Sequence, residues 1–144
     1  MKILIIGAGN MGRVYAESFI NAQILDYENL MVLEQNPTAV QIMKKEGYAN
    51  SYSFPDSFIT EADLIILAVK PQDATDLYSS IKPFMKQDQL VLSIMAGVSV
   101  DALKAGLGTD KIIRAMPNLP ARVSMGITVF YASSEVNRME LFLV

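Results

Sequence analysis

The chain opens with a four-residue apolar run, Ile3 to Ile6, behind Lys2, and Gly7, Gly9 and Gly12 follow directly. A short unbroken apolar run predicts a strand buried on both faces, and Met11, Val14, Tyr15 and Phe19 then recur at helical spacing. Leu30 to Leu33, Leu64 to Val69 and Leu90 to Ile94 repeat the strand signal. Lys111 to Ala115 predicts a fifth strand, and Gly126 to Tyr131 a sixth at or near a sheet edge.

Helical patterns lie between these runs. Asn36-Pro37 predicts the cap and first turn of a helix that turns Ala39, Ile42 and Met43 inward, with Lys44 and Lys45 near its end and Gly47 beyond. Pro71 opens another, whose apolar stripe is Ala74, Leu77, Tyr78 and Ile81. Ser99 can cap a short helix through Leu103, closed near Gly106 and Gly108. The polar stretch Asn50 to Asp63, with Pro55-Asp56 inside it, predicts a loop and one short helix. Ser133 to Val144 predicts the beginning of a helix with Val136, Met139 and Leu143 on one face.

Strands alternating with helices imply right-handed crossovers. The expected class is therefore α/β, a Rossmann-type doubly wound, mostly parallel sheet with helices on both faces. The expected organisation is a dinucleotide-binding domain over 1–132 and, over 133–144, the start of a helix leading into a further domain. Phe142-Leu143-Val144 is an apolar end with no terminator, which predicts a natural chain that continues.

Composition narrows the chemistry. Of 144 residues, 51% are hydrophobic and 19% charged, which excludes a disordered chain. A net charge of −3 without a basic run argues against nucleic acid or an anionic membrane as partner. Leu64 to Val69, the longest apolar run, is too short to span a bilayer. With neither cysteine nor histidine, thiolate and imidazole metal sites, Cys and His nucleophiles and Ser-His-Asp triads are all removed, and no metal is expected. The lack of disulfide material and of a signal peptide fits a cytoplasmic location.

Between a strand and a helix, the glycines take separate tasks. Gly7 turns the chain, Gly9 lets backbone approach a pyrophosphate, and Gly12 lets the helix lie close to the strand. Ala8, Asn10 and Met11 complete that loop, and the unpaired N–H groups of the helix start would face the phosphates. Such glycine turns also arise for packing alone. Glu34 follows the second run, 22 residues after Gly12, near the spacing at which an acid meets the adenosine ribose. A carboxylate there favours NADH and repels the 2′-phosphate of NADPH; the same residue also reads as a solvated strand-end acid.

Ligands of such sheets lie beyond the carboxyl ends of the strands. The loops expected to meet there are Gly7 to Gly12, Glu34-Gln35-Asn36, Ala68-Val69-Lys70-Pro71, Met95-Ala96-Gly97 and Met116-Pro117-Asn118. Asn36 reads first as a helix cap, and Lys70 reads equally as a phosphate-neutralising cation and as a solvated side chain. Asn118 reads equally as a ligand to a carboxamide or substrate and as a residue bonding its own turn. Arg114 and Arg122 read as surface ion-pair formers before carboxylate binders.

Four strings, Gly7-Ala8-Gly9-Asn10-Met11-Gly12, Ala68-Val69-Lys70-Pro71, Ser93-Ile94-Met95-Ala96-Gly97-Val98 and Ile113-Arg114-Ala115-Met116-Pro117-Asn118, occur in the order and spacing of the pyrroline-5-carboxylate reductases, and the chain resembles that family over nearly its whole length. The resemblance implies an NAD(P)H-dependent reductase that moves hydride to the cyclic imine carbon of 1-pyrroline-5-carboxylate, giving proline. It implies that Gly7 to Gly12 and Ala68 to Pro71 hold the dinucleotide. Ala96, Gly97 and Asn118 would sit by the nicotinamide, with Met116, Pro117 and Asn118 on the substrate side. It also implies a helical second domain that dimerises and carries the groups that grip the substrate; the catalytic residues are expected there.

Two positions depart from the family pattern. Leu119 stands where the family usually has threonine, and Glu34 stands where small polar or basic residues accompany NADPH. The competing readings are another two-domain dehydrogenase of prephenate or hydroxyacid type, a non-catalytic dinucleotide-binding or redox-sensing module, and a fragment that associates through its final helix.

Overall fold

The computed structural model describes residues 1–117, 128–142 and 144. Four strands are buried at every position: β1 (Ile3–Ile6), β2 (Leu30–Leu33), β4 (Leu64–Leu67) and β5 (Leu90–Ser93). Around them lie β3 (Ser51–Tyr52), β6 (Ile112–Met116) and β7 (Val129–Ala132). The helices are α1 (Asn10–Asn21), α2 (Pro37–Lys45), α3 (Ala74–Ile81), α4 (Val100–Leu107) and α5 (Arg138–Phe142).

The strands form one sheet in the order β3-β2-β1-β4-β5-β6-β7, parallel except for β7, which runs antiparallel to β6. The mostly parallel, doubly wound sheet expected from the apolar runs is the observed one. Register explains why those runs read so clearly. Ile3 lies opposite both Leu30 and Leu64, and Leu4 opposite both Met31 and Ile65, so alternate residues feed opposite faces. Ile3, Ile5, Leu30 and Val32 pack with Ala16 of α1 and Met43 of α2. Leu4, Ile6, Met31 and Leu33 pack on the other face with Ile81 of α3 and Leu103 of α4. A strand covered on both sides has no polar face to display.

Several local expectations are corrected. In α2 the inward residues are Val40 and Met43, while Ile42 is 45% exposed. An (i, i+3) pair is what this helix rests on the sheet. Asn50 to Asp63 contains the edge strand β3 as well as a 3-10 turn at Ser57–Glu61. Helix α4 runs through Gly106 and ends at Gly108, whose φ of +77° is the left-handed helix cap. Position 106 takes glycine within the helix because a Cβ there would drive into the Tyr78 ring of α3. At the end of the chain, helix begins only at Arg138; Val136 is buried and Met139 is 75% exposed, while Leu143 lies outside the described residues.

Candidate functional site

Strand order reverses at β1, whose neighbours β2 and β4 lead in opposite directions. A crevice at that point is where open parallel sheets bind ligands. Backbone bonds carry the pairing one residue past the strands: Gly7 N donates to Leu33 O at 2.8 Å, Ala68 N to Ile6 O at 2.8 Å, and Glu34 N to Tyr52 O at 3.0 Å. The three loops are thereby held side by side.

The glycines of the first loop answer to three constraints. Gly7 has φ +98°, and a Cβ on it would lie 2.8 Å from the Ala68 carbonyl oxygen. Such backbone is strained for any other residue. Gly12, inside α1, faces the turn so closely that a Cβ would overlap the Gly7 carbonyl oxygen. Gly9 is the contrary case, since a Cβ there would meet nothing within 4 Å. It opens onto a cavity of about 420 Å³.

That cavity has Ile6, Leu33 and Val69 in its walls, Gly7 and Gly9 at one corner, and Glu34, Gln35, Ala68 and Lys70 around it. The rest comes from Ser53-Phe54-Pro55, beyond β3, and from Asp73, Leu77 and Ser80 of the segment leading into α3 and of α3 itself. Gly9 is the N-cap of α1, with no side-chain cap and no acid in the first turn. By contrast, Asn36 caps α2 by accepting from Thr38 N at 2.9 Å, and Ser99 caps α4 by accepting from Ala102 N at 3.2 Å. First-turn amides without a side-chain acceptor, beside an open glycine, suit an anion such as a pyrophosphate.

Glu34 bridges two loops. Its Oε2 accepts from Ala8 N at 2.8 Å and its Oε1 from Asn36 N at 2.9 Å. Each oxygen keeps a further lone pair for a ribose hydroxyl, and the carboxylate is fixed by backbone rather than left to solvent.

Of the residues singled out from sequence, Gly7, Gly9, Glu34, Gln35, Ala68, Val69 and Lys70 line one cavity. Ala8 joins it through the bond to Glu34, and Asn10, Met11 and Gly12 form the first turn of α1. Asn36 sits beside it as the α2 cap, and Pro71 opens a 3-10 turn at Pro71–Asp73. Ala96 and Gly97, the latter with φ +72°, follow β5 as exposed residues; Met116 ends β6 at 48% exposure and Pro117 follows it. These four share the carboxyl edge of the sheet but lie outside the cavity. Asn118, Leu119 and Arg122 fall outside the described residues. Arg114 is no surface ion-pair former among the described residues: its Nη2 donates to Met95 O at 3.4 Å, and its Nε is buried.

Sequence reasoning missed Ser53, Phe54, Pro55, Asp73 and Ser80 as cavity residues and took Leu77 only as core. The one signal for Ser53, Phe54 and Pro55 was an aromatic beside a proline in an otherwise polar stretch. Among the described residues no group of His, Cys, Asp or Glu could hold a metal ion, and no helix is long and apolar enough to cross a membrane.

A parallel sheet of this order, with a glycine turn and a helix start without a side-chain cap at its reversal point, defines the Rossmann class of dinucleotide-binding domains. The family described as NADP oxidoreductase, coenzyme F420-dependent, matches residues 2–97, and the chain belongs to it. Over 129 residues it is 39% identical to the pyrroline-5-carboxylate reductase of Escherichia coli, covering 88% of this chain and 48% of that protein. The structure of a pyrroline-5-carboxylate reductase from Coxiella burnetii superposes with a TM-score of 0.90 at 28% identity, over 99% of this chain and 53% of that one. The Plasmodium falciparum pyrroline carboxylate reductase with NADP bound gives 0.83 at 29% identity, over 99% and 52%. The chain spans about half the length of the curated relatives it matches, corresponding to their amino-terminal half.

Proposed function

We propose that this chain is the cofactor-binding half of an NAD(P)H-dependent pyrroline-5-carboxylate reductase. The observation that carries the reading is the glycine pattern: a Cβ on Gly7 or Gly12 would run into its neighbours, while at Gly9, which lines the cavity beside Gly7, a Cβ would meet nothing within 4 Å. A turn built only for packing has no reason to leave its middle glycine bare.

In this reading the Gly7 to Gly12 turn holds the pyrophosphate through the first-turn amides of α1 beside the open Gly9, and Glu34, with Gln35 and Asn36, holds the adenosine ribose. Ala68, Val69, Lys70 and Pro71 flank the middle of the ligand. Ala96, Gly97, Met116, Pro117 and Asn118 border the nicotinamide and the cyclic imine substrate. When bound, the reduced nicotinamide supplies the hydride. The chain's own part is alignment, which in well-oriented reactions is worth about 7–11 kcal/mol, and which needs no histidine or cysteine. Residues 1–132 make the nucleotide domain, and 133–144 lead into a helical domain that completes the substrate site and pairs two subunits in the cytoplasm.

Glu34 supports NADH as the preferred form, because a 2′-phosphate brought to about 4 Å from its carboxylate meets repulsion of order ~4 kcal/mol per unit charge when partly shielded. NADPH is the second reading, supported by the NADP held in the Plasmodium relative and by the family's description. Calorimetric titration of the purified chain with each nucleotide decides between them. The expected result is tighter NADH, with Glu34→Gln narrowing the gap; a tenfold preference of the unaltered chain for NADPH overturns the role given to Glu34.

A further inference from the structure

Phe54 is 78% exposed and is the single exposed large apolar side chain among the described residues that lines the cavity. A lone exposed aromatic is ordinary on a protein surface; what sets this one apart is its position. Leu33 of β2 pairs with Tyr52 of β3, and Glu34 N donates to Tyr52 O at 3.0 Å, so the rim residue two places beyond Tyr52 stands beside Glu34 and Gln35. Tyr52 turns to its own partner, stacking on Phe58 with ring centroids 3.8 Å apart and 11° between planes. Phe54 takes no part in that pair. Pro55 follows it and restricts the backbone that carries the ring.

The bond from Ala8 N to Glu34 ties the glycine corner to the end of β2. From Gly9 through Glu34 to Phe54 the lining therefore changes from bare amides to a carboxylate to an aromatic ring. Phosphate, ribose and base follow one another covalently in that order, and each meets the chemistry that recognises it. Leu77 of α3 supplies a second apolar surface of the cavity, with Ser53 and Ser80 offering hydroxyls at its margins. We propose that Phe54 is the platform on which the adenine of the dinucleotide stacks. The proposal rests on reading the cavity as a dinucleotide site.

The chain has no tryptophan, so Phe54→Trp places a single indole reporter at the rim. ADP-ribose is expected to quench that indole, and nicotinamide mononucleotide, which lacks the adenine, is not. In calorimetry Phe54→Ala is expected to weaken ADP-ribose and NADH about tenfold, the size of one lost base stack, with Phe54→Tyr restoring most of it. The exposed position should leave the melting temperature of all three variants near that of the unaltered chain. Unchanged ADP-ribose binding in Phe54→Ala, or an unquenched indole while nucleotide is bound, overturns the platform and leaves the dinucleotide reading standing. Failure of the unaltered chain to bind either NADH or ADP-ribose overturns both.

Discussion

Gly9 and Gly12 lie three residues apart at the head of α1 and answer to opposite constraints. A methyl group on Gly12 would overlap the Gly7 carbonyl, so Gly12→Ala must push α1 away from the turn. Overpacking of this kind costs about 1–3 kcal/mol, and a lower melting temperature together with weaker nucleotide binding is expected. Gly9 has φ −70° and ψ −168°, backbone open to any residue, and its missing Cβ faces empty space. Gly9→Ala meets no clash, and its cost is only that of alanine in place of glycine at the α1 N-cap, up to ~1 kcal/mol or about 4 °C in melting temperature. Its affinity for NADH should nevertheless fall at least tenfold, measured by titration. Equal affinity in Gly9→Ala would remove the pyrophosphate from this turn. The sequence made the Gly12 requirement legible, because strand, glycine turn and helix in that order leave little room. It could not show that Glu34 holds the Ala8 amide, since that bond joins residues 26 apart in the chain.

Elements were legible where a single face decided them. The runs at β1, β2, β4 and β5 are buried throughout, so their pattern survives any detail of packing. Strand β3 was hidden because it is two residues long, and α4 was read short because Gly106 was taken locally as a stop when it serves Tyr78 of α3. Tertiary contacts also hid Gln89, which is 4% exposed just before β5. Its Nε2 donates to Ile59 O at 2.7 Å and Ala62 O at 2.9 Å, and its Oε1 accepts from Lys86 N at 2.8 Å. Gln89→Met keeps the length and removes all three bonds. With the Ala62 carbonyl and the Lys86 amide left unpaired, while Ile59 O keeps the Ala62 N–H, a loss of about 2–3 kcal/mol is expected, seen as a melting temperature lower by roughly 8–10 °C.

A second inter-element tie is sensitive to pH. Lys104 of α4 donates to Glu135 Oε2 at 2.7 Å, and Ser134 donates to Glu135 Oε1 at 2.9 Å. The lysine first, then a backbone N–H and the serine hydroxyl, hold the Glu135 carboxyl down at about 2. A carboxyl depressed in the folded chain contributes stability that is full above its unfolded value near 4.5 and is lost as pH falls toward 2. Both side chains are solvent-accessible, so the contribution is small and screened by salt. Melting temperatures of the unaltered chain and Glu135→Gln should differ at pH 6 in low salt and converge between about pH 4.5 and 2. A difference that widens on acidification would show that the pairing with Lys104 does not stabilise the fold.

At the scale of the whole molecule, the cavity joins segments far apart in sequence: the glycine turn, the ends of β2 and β4, the rim after β3 and α3. A ligand that bridges them stabilises the sheet as a unit, and at a hundredfold excess over its dissociation constant the gain is about 2.7 kcal/mol. For a chain of this size that corresponds to a rise in melting temperature of roughly 8–10 °C with nucleotide. Proline, the expected product, should produce no such rise. The relatives are about twice as long as this chain, and Met116 and Pro117, read as the substrate side, lie outside the cavity. The purified chain should accordingly bind nucleotide and reduce 1-pyrroline-5-carboxylate slowly or not at all, followed by nicotinamide absorbance. Robust turnover would move substrate binding into these residues, and a shift with proline but none with nucleotide would reverse the assignment of the cavity.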